Sequence, residues 1–194
     1  MPKHYLVTGG AGFVGSNLVD ALIVAGYRVT IIDNLMTGKK RNINPKAKFI
    51  FADIRDYKKI KPYFKGVDGV FHVAALPRVQ PSIKNPLPPN DVNITGTLNV
   101  FWAAKQMKVK RIVYSASSSA YGDPESLPAK ESFRAKPMSP YALQKFVGEE
   151  YARLFAFLYG IETISLRYFN VYEPRMIGTG AYVTVIKIFL NQRA

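Results

Sequence analysis

Tyr141 and Lys145 stand four residues apart, so on a helix they share one face. A phenol ionises near pH ~10 and is a poor base at neutral pH. A neighbouring ammonium favours the phenolate, and a positive charge on a bound ligand would add to that effect. Such a tyrosine can take a proton from a substrate hydroxyl. The run Ser115-Ala116-Ser117-Ser118-Ser119 supplies a hydroxyl, Ser117, that can hydrogen-bond the reacting oxygen. A Tyr and a Lys at this spacing occur on many helices, so their meaning depends on what else the chain binds.

The stretch Thr8-Gly9-Gly10-Ala11-Gly12-Phe13-Val14-Gly15 indicates the ligand. The apolar run His4-Tyr5-Leu6-Val7 precedes it, and a helical pattern from Ser16 to Leu22 follows. Strand, glycine turn and helix start make a cradle for a pyrophosphate. Glycines allow close backbone approach, and the free N–H groups and dipole of the helix favour negative charge. The same glycines also suit a plain tight turn. A second apolar run, Arg28 to Ile32, ends at Asp33, 18 residues beyond Gly15. An acidic residue at the tip of the second strand accepts hydrogen bonds from an adenosine ribose. Its charge repels a 2′-phosphate, so NAD is expected rather than NADP.

Alternating strands and helices predict an α/β fold with a doubly wound parallel Rossmann sheet. Strands are expected near residues 4–8, 28–33, 48–52, 69–73, 111–115 and 162–167. Helices are expected near 13–25, 56–64, 91–107 and 140–159. Long connections, Pro77 to Pro89 and residues 116–138, follow the fourth and fifth strands. Ligands bind beyond the carboxyl ends of such strands, so both connections should border the crevice of the glycine turn. The helix over 140–159 carries the pair Tyr141/Lys145. Ser139 suits its N-cap, Pro140 its first position and Gly160 its exit. It is apolar on more than one face, through Phe146, Val147, Tyr151, Leu154, Phe155, Phe157 and Leu158. A homodimer through the helices near 91–107 and 140–159 is the expected cover, with a further domain as the rival. The tail from Gly178 reads as a loop and a short helix.

The net charge of +14 over 194 residues is high. Its lysines and arginines are dispersed over several elements and not interleaved with aromatics. A solvated surface is therefore expected rather than nucleic-acid binding. There is no cysteine and there are two histidines, so neither disulfide nor thiol chemistry nor a catalytic metal is expected. No apolar stretch has membrane-spanning length, and no signal-peptide pattern opens the chain. A cytoplasmic location and no membrane partner follow as expectations.

Across its length the chain resembles the extended short-chain dehydrogenase/reductase family, in its nucleotide-sugar epimerase/dehydratase branch. The resemblance rests on an ordered set of motifs. These are Thr8-Gly9-x-x-Gly12-x-x-Gly15, Asp33-Asn34-Leu35, Asp53-Ile54, Phe71-His72-Val73-Ala74-Ala75 and Asn93-x-x-Gly96-Thr97. Ser117, Tyr121-Gly122, Ser139-Pro140-Tyr141-x-x-x-Lys145 and Arg167-Tyr168-Phe169-Asn170-Val171-Tyr172 complete it.

The resemblance implies roles. Gly9, Gly12 and Gly15 would shape the pyrophosphate turn, with Phe13 and Val14 presenting N–H groups. Asp33 and Asn34 would hold the adenosine ribose of NAD. Asp53 and Ile54 would flank the adenine, although Asp53 also reads as a loop acid leading a helix. Ala74 and Ala75 would leave room for the cofactor. Ser117, Tyr141 and Lys145 would be catalytic, with Lys145 also on the nicotinamide ribose. Asn170 would contact the phosphates of a UDP-sugar substrate. His72 reads as a strand-end packing residue.

The implied reaction is 4-epimerisation of UDP-glucose/UDP-galactose or their N-acetyl forms through a 4-keto sugar. A 4,6-dehydratase would need an Asp-Glu pair where Ser118 and Ser119 stand. Glu173 departs from the family's glycine. Relatives continue past this point into a substrate-binding portion, so residues 1–175 read as the NAD-binding domain and 176–194 as the start of that portion. The alternative is an NAD-binding domain that is catalytically incomplete.

Overall fold

The computed structural model describes residues 2–172 and 174–176. Glu173 and the tail from Gly178 lie outside these residues.

Six strands form one parallel sheet: β1 (His4–Thr8), β2 (Arg28–Asp33), β3 (Lys48–Phe51), β4 (Gly69–His72), β5 (Arg111–Ser115) and β6 (Glu162–Leu166). Their spatial order is β3-β2-β1-β4-β5-β6. This is the doubly wound order of two mononucleotide-binding halves, and it reverses between β1 and β4. Thr8 pairs with His72 at that junction, and His72 with Tyr114 on β5. The crevice therefore opens beyond Thr8 and His72.

Helices cover both faces. On one side α1 (Phe13–Val24) packs Val19 and Leu22 against Val7, Val29 and Ile31. On the other, α5 (Thr97–Gln106) and α6 (Pro140–Tyr159) pack Val100, Phe101, Ala152 and Phe155 against Leu6, Val70, Ile112 and Tyr114. The central strands β1, β2, β4 and β5, largely buried on both faces, read as near-continuous apolar runs, whereas the edge strand β6 is mostly exposed.

Local chemistry fixes α6 where the sequence predicts it. Ser139 Oγ accepts the Ala142 N–H at 3.1 Å, Pro140 opens the first turn, and Gly160 closes the helix at φ 66°. Its buried face carries Ala142, Lys145, Gly148, Ala152 and Phe155, while Leu143, Leu154, Phe157 and Leu158 are exposed. Gly148 faces the Tyr114 hydroxyl, and a Cβ added there would lie 2.2 Å from that oxygen.

Three expectations are corrected. The Pro-rich stretch 77–89 is not a continuous loop, because α3 (Val79–Lys84) and α4 (Leu87–Asn90) form within it. The helix expected over 56–64 is α2 (Tyr57–Ile60) followed by a tighter 3₁₀ turn, Lys61–Phe64, at Pro62, which has no N–H to continue the ladder. The helix expected over 91–107 begins as a wide π turn, Asp91–Gly96. There the Asn93 side chain bonds Leu76 and Gln144, fastening the turn to two neighbours. Among the described residues no helix is long and apolar enough to cross a membrane.

Replacing Gly148 by Ala should force the buried Tyr114 ring aside, costing ~1–3 kcal/mol. Urea unfolding checks this: the midpoint should fall with an unchanged slope.

Candidate functional site

The crevice at the switch point is a cleft of about 560 Å³. The residues given catalytic, cofactor or substrate roles by the resemblance all border it: Gly9, Gly12, Phe13, Val14, Gly15, Asp33, Asn34, Asp53, Ile54, Ala74, Ala75, Ser117, Tyr141, Lys145 and Asn170. They come from the ends of β1, β2, β4 and β5 and the turns that follow them, the starts of α1 and α6, and the loops after β3 and β6.

The glycine turn closes on itself. Gly12 N–H donates to Gly9 C=O at 3.0 Å, and Gly9 sits at φ 72° with Ala74 against its Cα. A Cβ at Gly15 would come within 2.2 Å of the Gly9 oxygen, so only glycine allows α1 this close to β1. Gly12 caps α1 without any side-chain hydrogen bond, and no acidic residue occupies the first turn. The helix start thus faces the cleft with backbone groups alone, which suits an anion.

Asp33 is buried at the tip of β2. One carboxylate oxygen accepts the Ala11 N–H at 2.9 Å and the other the Leu35 N–H at 2.7 Å. A carboxylate has further lone pairs, so its face toward the cleft can still accept. Asn34 is turned to the next wall: its amide donates to Asp53 at 2.7 Å, and its oxygen accepts the Met36 N–H. Asp53 is also held by the Arg55 guanidinium, which lowers its pKa to about 2. It does not cap α2, a task taken by Asp56.

The opposite wall carries Ser117, Tyr141 and Lys145. Lys145 is buried, and its amine donates to the Ser115 carbonyl at 2.8 Å. Desolvation lowers its pKa to about 8. Tyr141 is largely buried too, and burial holds its phenol above the ordinary range, while a hydrogen bond with Ser117 pulls the other way. Of the two, burial is the larger effect. Ser119 donates its hydroxyl to Ser117 Oγ at 2.8 Å, leaving the Ser117 proton for the phenol oxygen. Residues 168–170 reach the cleft because the Ser118 N–H bonds the Tyr168 carbonyl at 2.9 Å. Asn170 is exposed there.

His72 is fully buried between Thr8 and Thr97, as the packing reading expected. Sequence reasoning gave no role to Met36, Thr37 or Arg78, which also border the cleft. Arg78 has φ 98°, a conformation rare outside glycine. No side-chain pattern announces it.

Comparison with known proteins agrees with this geometry. Residues 5–193 match the model of the NAD dependent epimerase/dehydratase family. A putative UDP-glucose 4-epimerase of Methanocaldococcus jannaschii is 48% identical over 191 residues, covering 96% of this chain and 62% of that protein. The structure of a UDP-N-acetylglucosamine 4-epimerase from Methanobrevibacter ruminantium M1, in complex with UDP-N-acetylmuramic acid, matches with TM-score 0.92 at 42% identity. That match covers 98% of this chain and 62% of the other. The UDP-glucose 4-epimerase of Thermus thermophilus, in complex with NAD, matches with TM-score 0.86 at 38% identity, over 92% of this chain and 58% of the other. The chain thus spans about three-fifths of the length of these relatives. On these matches, and on the cleft that its sequence builds, the chain belongs to the NAD-dependent epimerase/dehydratase family.

Proposed function

We propose that this chain binds NAD⁺ across the switch-point cleft and carries the acid–base residues of a UDP-sugar 4-epimerase. The observation that carries this reading is the convergence of Ser117, Tyr141 and Lys145 on the same cleft as the glycine turn and Asp33. The donor set fits the cofactor. A helix start with uncapped N–H groups suits a pyrophosphate, and a buried carboxylate at the tip of β2 suits a ribose.

In this reading Gly9, Gly12 and Gly15 shape the turn, and the N–H groups of Phe13 and Val14 hold phosphate oxygens. Asp33 and Asn34 hold the adenosine ribose, with the Asn34 amide anchored on Asp53. Asp53 and Ile54 flank the adenine, and Ala74 and Ala75 leave space beside the cofactor. Bound NAD⁺ supplies a hydride acceptor, returned later as donor, together with a positive charge. Lys145 bonds the second ribose. Tyr141 takes the proton of the sugar 4-hydroxyl as C4 is oxidised, and gives it back on reduction of the 4-keto sugar from the other face. Ser117 donates to the phenol oxygen and then to the reacting oxygen, and Asn170 binds the diphosphate. Ser118 and Ser119 offer no acid–base pair for loss of water, which favours epimerisation over dehydration.

The sugar, UDP-glucose/UDP-galactose or an N-acetyl form, is part of the proposal. So is the division into an NAD-binding domain (1–175) and the start of a substrate-binding portion (176–194). The exposed Leu143, Leu154, Phe157 and Leu158 of α6 support a homodimer through α5 and α6. A cytoplasmic location suits the sequence without cysteine.

With NAD⁺ and UDP-galactose, UDP-glucose should form. Tyr141→Phe should slow it by roughly 10²–10⁴-fold with little change in NAD⁺ affinity. Retained turnover would remove Tyr141 from its role. NAD⁺ binding without turnover in the unmodified chain would favour the incomplete-domain alternative.

Lys145 sets a pH dependence of stability. Its pKa is about 8 in the fold and ~10.4 when unfolded, so the unfolded chain holds more protons between those values. The penalty for the buried charge is complete below the lower value and is relieved as pH rises, so this contribution makes stability increase with pH. Urea unfolding of the chain and of Lys145→Met, from about pH 7 to about pH 10, should show that rise in the first only. Parallel profiles would contradict the burial of the charge.

A further inference from the structure

Beneath the cleft runs a line of polar groups that none of the roles above uses. Thr8, His72, Thr97 and Tyr114 are each at most 1% exposed. The Ala74 N–H donates to Thr8 Oγ1 at 3.3 Å, and that oxygen lies 2.7 Å from His72 Nδ1. His72 Nε2 lies 2.9 Å from Thr97 Oγ1. The Tyr114 hydroxyl, with Thr97 beside it, donates to the Lys145 carbonyl at 3.3 Å. The face of the Tyr114 ring lies 5.0 Å from Lys145 Nζ.

One arrangement of protons satisfies the whole line. A carbonyl only accepts, so the Tyr114 proton points to Lys145. Thr97 then donates to the Tyr114 oxygen and must accept from His72 Nε2–H. His72 is neutral, because burial lowers its pKa to about 3 with help from the Lys145 charge. Its Nδ1 is therefore bare and accepts from Thr8, whose lone pair takes the Ala74 N–H. Both ends of the line are backbone groups, so it is a strut and not a proton path. It joins the wall at Ala74, beyond β4, to the turn of α6 that carries Lys145.

We infer that Tyr114, held by the chain Thr8–His72–Thr97, is a positioning residue for Lys145, fixing the helix through its hydroxyl and the amine through its ring. This rests on the reading of Lys145 as the cofactor-side amine. Gly148 makes room for the hydroxyl on the same helix.

Two measurements test it. In the unmodified chain, ¹⁵N spectra of histidine should give His72 as the neutral Nε2–H form, unchanged from about pH 5 to about pH 8. An Nδ1–H form, or titration in that range, would overturn the strut. In chain labelled with ¹³C at lysine Cε, Tyr114→Phe and Thr97→Val should each loosen the amine toward water. The Lys145 midpoint should then move up by about half a pH unit or more, toward the ordinary lysine value. Thr97→Ser, which keeps the hydroxyl, should restore the original midpoint. An unmoved midpoint in folded Tyr114→Phe or Thr97→Val would overturn the positioning role. An NAD⁺ titration of the unmodified chain separates the two readings: absent binding sinks the cofactor reading, while the Lys145 midpoint still decides the strut.

Discussion

A lysine amine held away from water, with a carbonyl oxygen as its partner, is the constraint around which this chain is arranged. An ammonium in such a place is costly, and the amine of Lys145 responds with a pKa lowered to about 8. Several elements combine to keep it there. The Ser139 cap and Gly160 exit fix the register of α6, Gly148 lets that helix approach β5, and Ser115 at the end of β5 supplies the carbonyl. A charge left so weakly satisfied is the kind of group that a ligand completes.

The sheet order provides the place for that ligand. Because the order reverses between β1 and β4, the chain leaves the two strand ends in opposite directions and a crevice opens between them. The glycine turn occupies one side and brings α1 close enough for its uncapped start to meet an anion. Asp33 and Asp53 line one end, while Ser117, Tyr141 and Lys145 line the other. Burial holds the Tyr141 phenol above its ordinary range, with the Ser117 hydrogen bond opposing it. A positive cofactor charge next to it is what would bring the phenol into use.

What was legible in the sequence is what is local or strongly periodic. The central strands appear as apolar runs because both of their faces are covered, and the limits of α6 follow from Ser139, Pro140 and Gly160. The candidate site residues were legible because their motifs sit at strand ends and a helix start, where a doubly wound sheet gathers them. The rest depends on contacts distant in sequence. The wide turn at Asp91–Gly96 is fastened by Asn93 to Leu76 and Gln144, and neither partner is visible in a local window. The short helices within 77–90 and the positive φ of Arg78 are likewise products of the packed context. How dry the Tyr141 face is likewise depends on packing that the spacing to Lys145 does not reveal.

One cleft of this chain, in the reading proposed, holds the whole dinucleotide from Asp33 to Tyr141. A crystal structure of the chain grown with NAD⁺ tests this most directly. The expected result is a pyrophosphate on the N–H groups of Phe13 and Val14, the adenosine ribose on Asp33, and the nicotinamide end beside Tyr141 and Lys145. A cleft that stays empty at saturating NAD⁺, or a dinucleotide bound elsewhere, would contradict it.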